Sequence, residues 1–386
     1  MFIYFIILLF IAFGVFHYDI RNKTFYRKTY AVFLSVLITL MIGLRYKVGG
    51  DALTYEYYFR WMPNLSEYLK FLDYDRSFNY QPLYLLFVAI CKTIDPSYYV
   101  YQFIHAVVVN SIITWFLYKY CEKFFTALFL LFVLCLYFYF TFEIQREILA
   151  ICCFLLGFKY YQNNKWIPYA ILAVIAFFIH ISAIILFVLP FFKLVKLRNQ
   201  TVLLILVIAL GLSFLKSFFY DAISVFLVTD TMTDKGKVYN EMEFSISGLF
   251  FFFLGRVGLL LPIVFYYVRN KEEPLRDIVT AFYILSCLSQ VMVGFDRMLN
   301  YVTIPFIICF CNFLYSKNIF KIKIKKKLIA LSTYFCLFFF ICIKIVMDLN
   351  VTDRARYHSI FFPYSSHFDK EKNPERERFM IELWTR

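Results

Sequence analysis

The chain has 386 residues, 62% hydrophobic and 23% aromatic, with forty Lys and Arg against twenty-six Asp and Glu and a formal net charge of +14. Mean hydropathy is +0.68. No water-soluble core needs so much apolar surface, so the composition excludes a soluble globular enzyme and predicts an all-α polytopic membrane protein. Twenty of the basic residues and five of the acidic ones fall in six short loops, a net of +15, while the rest of the chain nets −1. Basic loops translocate poorly, so these six are expected in the cytoplasm. The net charge therefore reports orientation in a lipid bilayer and excludes nucleic acid as the partner.

A membrane-spanning helix needs about 20 apolar residues. Runs at 2–17 and 29–44 flank the first basic loop, with Arg21, Lys23, Arg27 and Lys28, which puts the N-terminus outside. The first run is expected to be a span rather than a cleaved signal peptide, having no basic residues before it and no small-residue cleavage pattern after it. The loop 45–80 is then outside. Runs at 98–118 and 124–142 enclose Lys119 and Lys123. Runs at 144–161, 166–180, 181–197, 200–219, 248–268, 278–293, 298–316 and 328–347 alternate past Lys159/Lys165, Lys193/Lys196/Arg198, Arg269/Lys271/Arg276 and Lys317–Lys327. Three runs separate the loop 45–80 from residue 143, also outside, and an even number of crossings must lie between them. The short run 82–94, which begins after Gln81-Pro82, is therefore assigned as a re-entrant or interfacial helix, as its length suits. About twelve crossings result. Residues 1–348 form a single transmembrane domain with outer loops 45–80 and 220–247, and 349–386 form an extracytoplasmic tail, so both termini are outside.

The ten cysteines lie in or at the ends of apolar runs without a C-x-x-C pair, which predicts neither a disulfide framework nor a zinc site. There is no Walker A, G-x-G-x-x-G or H-E-x-x-H sequence and no carboxylate cluster of metal-cage type. No cofactor and no metal are expected.

Ionisable residues at membrane depth cost about 2.5–3.5 kcal/mol each on insertion scales, so they mark function by default. Arg146 stands at the outer end of a helix, between Glu143 and Glu147. Arg256 is eight residues inside its run, Arg297 follows Asp296 in a short outer loop, and His180 sits between two runs. Arg45 ends the second span and opens the turn Gly49-Gly50-Asp51. Each has a plain structural reading: snorkelling for the arginines, a hydrogen-bonded helix end for His180, an ion pair of Arg146 with its glutamates, a simple turn for the glycines. Their coincidence at one face favours a site for a multiply charged anion. Arginine binds phosphate bidentately and stays charged when partly buried. Tyrosines crowd the loop 45–80, Tyr55 among them, as interface anchors or as stacking surfaces for sugar rings.

The run Arg45–Tyr55 resembles the R-x-x-V-G-x-D-x-x-x-Y stretch after the second span of EpsG-like proteins. Ile144–Ala150 is similar to their I-R-Q-x-[IL]-A helix start, except that Gln145 precedes Arg146 and Glu147 stands where Gln is usual. Ala176–Ala183 resembles their A-x-x-x-H-x-S-A, Arg297–Tyr301 their R-x-x-x-Y, and Pro363-Tyr364 a Pro-Tyr near their C-terminus. The resemblance implies a Wzy-type polysaccharide polymerase of the bacterial cytoplasmic membrane. Such enzymes join oligosaccharide repeat units carried on undecaprenyl diphosphate at the outer membrane face. On that reading the expected catalytic residues are His180, Asp51, Arg146 and Arg297, and the expected substrate contacts are Arg45, Glu143, Arg256, Tyr301 and Tyr55. The arginines would stabilise the departing diphosphate. His180 is the first choice of base for the acceptor hydroxyl, by its ordinary pKa near 6.5, with Asp51 and Glu143 as rivals. A chain-length regulator is an admissible partner. The competing classes are a flippase for lipid-linked glycans, an O-antigen ligase-like enzyme and an acyltransferase. Charges near one face only, and no internal repeat, speak against transport.

Overall fold

A computed structural model of the protein describes residues 2–74, 80–134, 136–214, 253, 255, 257–291, 294–316 and 360–384. Among them there is no strand beyond one isolated bridge between Arg45 and Ser366, so the all-α expectation holds. The chain divides into two units, Met1–Ile184 with Ile341–Arg386, and Ile185–Phe340.

The first unit opens with α1 (Phe2–Gly14), which runs on as a π-turn over Val15–Ile20, and α2 (Arg27–Gly43) packs beside it. Helices α3 (Ala52–Trp61) and α4 (Tyr68–Tyr74) lie in the expected outer loop. Then come α5 (Pro82–Ile94), α6 (Tyr98–Tyr120), α7 (Phe124–Val133), and the short α8 (Leu136–Phe138) with a π-turn over Tyr139–Glu143. Helices α9 (Gln145–Gln162) and α10 (Trp166–Ile179) follow, with a 3-10 turn at Ile181–Ile184. The second unit holds α11 (Ile185–Val188), α12 (Asn199–Phe214), α13 (Leu261–Arg269), α14 (Arg276–Val291) and α15 (Gly294–Tyr315). Within it Phe282 and Phe306 stack 3.8 Å apart, and the Tyr283 hydroxyl donates to the Val202 carbonyl at 2.7 Å. The last helix, α16 (Pro374–Trp384), belongs to the first unit.

Among the described residues, three helices are long and apolar enough to cross a bilayer: Ile3–Ile20, Tyr98–Tyr120 and Phe295–Tyr315. A fourth crossing results if Phe124–Val133 and Leu136–Glu143, bent by 82°, make one span. The expected crossing over 124–142 corresponds to this bent pair. Pro82–Ile94, Trp166–Ile179, Ile181–Leu194, Asn199–Ser213 and Gly258–Arg269 are apolar but shorter. At 1.5 Å per residue a helix of 13 residues is about 20 Å long, less than the ~30 Å hydrocarbon layer. Outward-facing Phe5, Leu9, Phe13, Val32, Val36, Ile167, Ile171 and Val174 are all exposed, an arrangement that suits lipid and not water.

Buried polar residues tie the first unit together. Asn110 Nδ2 donates to the Ser35 carbonyl at 2.8 Å, Ser35 and Thr114 share a 3.0 Å hydroxyl contact, and the Tyr137 hydroxyl donates to Asn110. Such interhelical bonds contribute about 0.6–2 kcal/mol each in a membrane.

The unit has two chemically distinct ends. At one, Lys123 Nζ donates to the Asp19 carbonyl and to Asn22, Arg27 donates to the Glu122 carbonyl, and Asp19 accepts from both the amide and the hydroxyl of Thr126. These are residues of two loops read as cytoplasmic. At the other end Tyr4, Met41, Leu44 and Tyr99 meet the C-terminal segment. Helix α5 is tied at both ends to the segment 59–68. Lys92 Nζ donates to the carbonyls of Phe59, Arg60 and Met62, Thr93 Oγ1 accepts from the Leu65 amide, and the Tyr68 hydroxyl donates to the Pro82 carbonyl.

Candidate active site

The turn between α2 and α3 has φ +114° at Gly49, a conformation that disfavours a side chain. At Gly50 the reason for glycine is space: a Cβ there would lie 2.5 Å from Glu143 Oε2. The Glu143 carboxylate accepts the Gly50 amide at 2.6 Å and the Asp51 amide at 3.2 Å. It thereby seats a carboxylate on the turn that leads into α3, at the amides of Gly50 and of the N-cap residue Asp51. The pair Gly49-Gly50 is a turn, as the plain reading had it, and it is also the seat of a carboxylate 92 and 93 positions away.

Arg45 is 1% exposed. Its Nε donates to the Val48 carbonyl at 3.1 Å and its Nη1 to the Ile42 carbonyl at 2.6 Å, while the guanidinium lies 4.5 Å over the Phe142 ring. Those bonds close the turn from inside. Nη2 has no hydrogen-bond partner among the described residues.

Arg146, half-buried in the first turn of α9, lies 4.4 Å over the Tyr80 ring and hydrogen-bonds the Tyr55 hydroxyl. Tyr55 also reaches the Glu143 carbonyl at 3.4 Å. Burial pushes the Tyr55 and Tyr80 hydroxyls above their ordinary range, although the Arg146 charge pulls the other way. Both phenols therefore stay protonated at neutral pH and serve as donors. Tyr80 packs on Tyr58 and Tyr84, and the Tyr84 and Tyr101 hydroxyls meet at 3.2 Å. Behind them Gln145, fully buried, donates to the Tyr98 hydroxyl at 3.2 Å, and His105 Nε2 contacts the Gln145 carbonyl at 2.8 Å.

Asp51, Tyr55, Glu143 and Arg146 thus form one cluster, with Arg45 beneath the turn. His180 lies in the same unit. It ends α10 in an extended conformation and is 6% exposed. The Ser182 amide donates to its Nδ1 at 3.3 Å, and the Ser182 hydroxyl lies 2.6 Å from the same atom. A nitrogen that accepts an N–H carries no proton, so a neutral ring holds its proton on Nε2. Arg297 and Tyr301 belong to the second unit, Arg297 exposed and Tyr301 fully buried on α15. Arg256, the loop 220–247 and the tail before residue 360 lie outside the described residues.

Charge at run ends does not reveal Gln102, His105 and Asn110, all buried on α6. Their signal was available: three polar residues inside one apolar run. Tyr80 counted as one aromatic of many, and its pairing with Arg146 joins residues 66 apart in sequence.

These features define an all-α membrane protein with an arginine, carboxylate and tyrosine cluster at one end of its first unit. The EpsG family model matches residues 28–366, and the chain belongs to the EpsG family. No curated protein and no solved structure matches. Membership carries a polymerase-like role in polysaccharide biosynthesis.

Proposed function

We propose that this protein polymerises undecaprenyl-diphosphate-linked oligosaccharide repeat units at the outer face of the bacterial cytoplasmic membrane. The observation that carries the reading is the half-buried Arg146 between Tyr55 and Tyr80, beside the Asp51 turn, in a member of the EpsG family. In the reaction an acceptor sugar hydroxyl attacks the anomeric carbon of the growing glycan. The new C–O bond forms, the bond to the diphosphate oxygen breaks, and lipid diphosphate leaves with the electron pair. Arg146 meets the charge that develops there, aided by the protonated Tyr55, because donors fixed in advance are most effective where charge appears. Arg297 and Arg256 are proposed as further diphosphate ligands, and Tyr301 as a substrate contact. The arginines supply the positive charge, so the proposed reaction is metal-independent.

The acceptor's proton needs a base. Because Ser182 engages Nδ1, His180 is proposed as a hydrogen-bond donor, and the role of base passes to its rival in the sequence reading, Asp51. Arg45 and Glu143 then position the turn that presents Asp51. In this reading α5 does not cross the bilayer, since both its ends bond to the segment 59–68, and both termini share the outer face with the cluster. The test is deletion of the gene followed by gel analysis of the surface polysaccharide. A single repeat unit in place of a ladder supports a polymerase, whereas loss of all surface material points to a flippase.

A further inference from the structure

The turn that carries Asp51 is held from outside by a segment more than 300 residues away. The Gly49 amide donates to the Ile360 carbonyl at 3.1 Å, the Tyr46 amide to the Ser365 carbonyl at 2.8 Å, and the His367 amide to the Leu44 carbonyl at 2.7 Å. The Tyr364 hydroxyl donates to the Met41 carbonyl at 2.8 Å, and the Tyr4 hydroxyl to the Phe361 carbonyl at 3.0 Å. Arg376 crosses this junction. It is 2% exposed, in the first turn of α16, where Asn373 Oδ1 accepts its amide at 3.1 Å. Its Nη1 donates to the Lys47 carbonyl at 3.3 Å and its Nη2 to the Pro363 carbonyl. Beside it, Lys47 and Glu377 form an ion pair at 3.0 Å.

One side of the turn is thus bonded to the C-terminal segment and the other to Glu143. Gly49 bonds to the first, and the next two amides, of Gly50 and Asp51, bond to the second. A shift of the segment moves Gly49, and with it the Glu143 seat, Asp51 and the start of α3 that carries Tyr55. We infer that the C-terminal segment 360–377 is a clamp that sets the geometry of the candidate site, with Arg376 as its positioning residue. The inference rests on the polymerase reading for its effect on turnover, but the clamp itself is a matter of docking and is testable without that reading.

The experiment uses full-length protein in membranes and two readouts. The first is polymerisation of undecaprenyl-diphosphate-linked repeat units, with kcat and KM measured separately. Arg376→Ala should lower kcat about ten- to hundredfold, since a displacement of about 1 Å at a reacting group costs on the order of a hundredfold, and should leave KM within about threefold of the parent. Arg376→Lys, which keeps a donor for one carbonyl, should recover part of the loss. Arg378→Ala, on the exposed side of the same helix where Arg378 pairs with Glu382, should match the parent. The second readout is the rate at which a membrane-impermeant maleimide labels Ser366→Cys, and it requires no activity. Labelling should quicken when Arg376→Ala is added. An unchanged labelling rate overturns the clamp, and so does an unchanged kcat. If Arg376→Ala does not accumulate, Lys47→Glu and Glu377→Lys decide: each alone should slow polymerisation and quicken labelling, and the two together should restore both. Failure of the swap to restore either one overturns the clamp. Absence of polymerisation in the parent with faster labelling in the variant would instead sink the polymerase reading and keep the clamp.

Discussion

Glu143 and Gly50 meet at 2.6 Å, carboxylate oxygen to backbone nitrogen, across 93 positions of sequence. The same carboxylate takes the next amide, that of Asp51, so one side chain fixes the direction in which the turn enters α3. Leaving a buried donor unsatisfied costs about 1–3 kcal/mol, more beside a charge. Glu143→Ala should therefore free the turn and abolish polymer at normal protein levels, and Glu143→Gln should keep partial activity through its remaining acceptor. Polymer ladders on gels, normalised to membrane protein, read this directly. A normal ladder from Glu143→Ala would remove the residue from the site.

Gly50→Ala tests the same contact from the other side. The added Cβ would meet Glu143 Oε2 at 2.5 Å, closer than such atoms approach. The carboxylate must swing away, and the expected result is loss of polymer comparable to Glu143→Ala. Combining the two substitutions should add little to either, since both act through one contact. Additive losses would contradict that coupling.

Arg146→Ala should abolish polymer, and Arg146→Lys should rescue only in part, because a point charge does not reproduce the guanidinium fork. Tyr80→Phe keeps the ring under Arg146 and should retain most activity. Tyr80→Leu removes a cation–π contact worth about 0.5–2 kcal/mol and should lower it several-fold. Equal activity of Tyr80→Phe and Tyr80→Leu would mean that the ring does not hold Arg146.

The base is decided by two substitutions. Asp51→Asn keeps size and polarity but cannot take a proton, and should reduce turnover about 10²–10⁴-fold, the usual worth of general acid–base catalysis. His180→Gln keeps a hydrogen-bonding group for Ser182 and should remain near normal. The opposite outcome, with Asp51→Asn active and His180→Gln dead, would return the role to His180.

What the sequence revealed and what it hid follow from distance along the chain. Arg45, Gly49, Gly50, Asp51 and Tyr55 stand in one short stretch, and their shared location was readable there. Glu143 and Arg146 were readable as charges at the mouth of a helix. Their partners, the Gly50 and Asp51 amides for Glu143 and the Tyr55 and Tyr80 side chains for Arg146, were not, because they depend on how α9 packs beside the turn. Arg45 was read as a diphosphate contact, since an arginine at the end of a span before a glycine turn looks the same whether it faces a ligand or closes the turn. Its bonds to Ile42 and Val48 show that it closes the turn, a role that does not preclude the diphosphate contact. The expected span 166–180 rested on apolar length, and the helix there, Trp166–Ile179, is shorter than the ~20 residues a crossing needs. The role of Arg376 left no local signal at all, because its carbonyl partners are backbone groups that every sequence has.

Topology supplies a further test. Single cysteines at positions 46, 95 and 366 should be labelled from outside intact cells, and one at position 23 only after permeabilisation. Position 95 is the discriminating one, because the short helix α5 precedes it. Labelling there only from the cytoplasm would mean that α5 crosses the bilayer.

The most direct measurement reconstitutes the purified full-length protein in liposomes with undecaprenyl-diphosphate-linked repeat units. Glycan length and released lipid diphosphate are then followed together. Longer lipid-linked glycans should appear, with one undecaprenyl diphosphate freed for each new linkage and both products lost in Arg146→Ala. Passage of the lipid-linked unit across the bilayer with no change in glycan length and no lipid diphosphate released would contradict the polymerase reading.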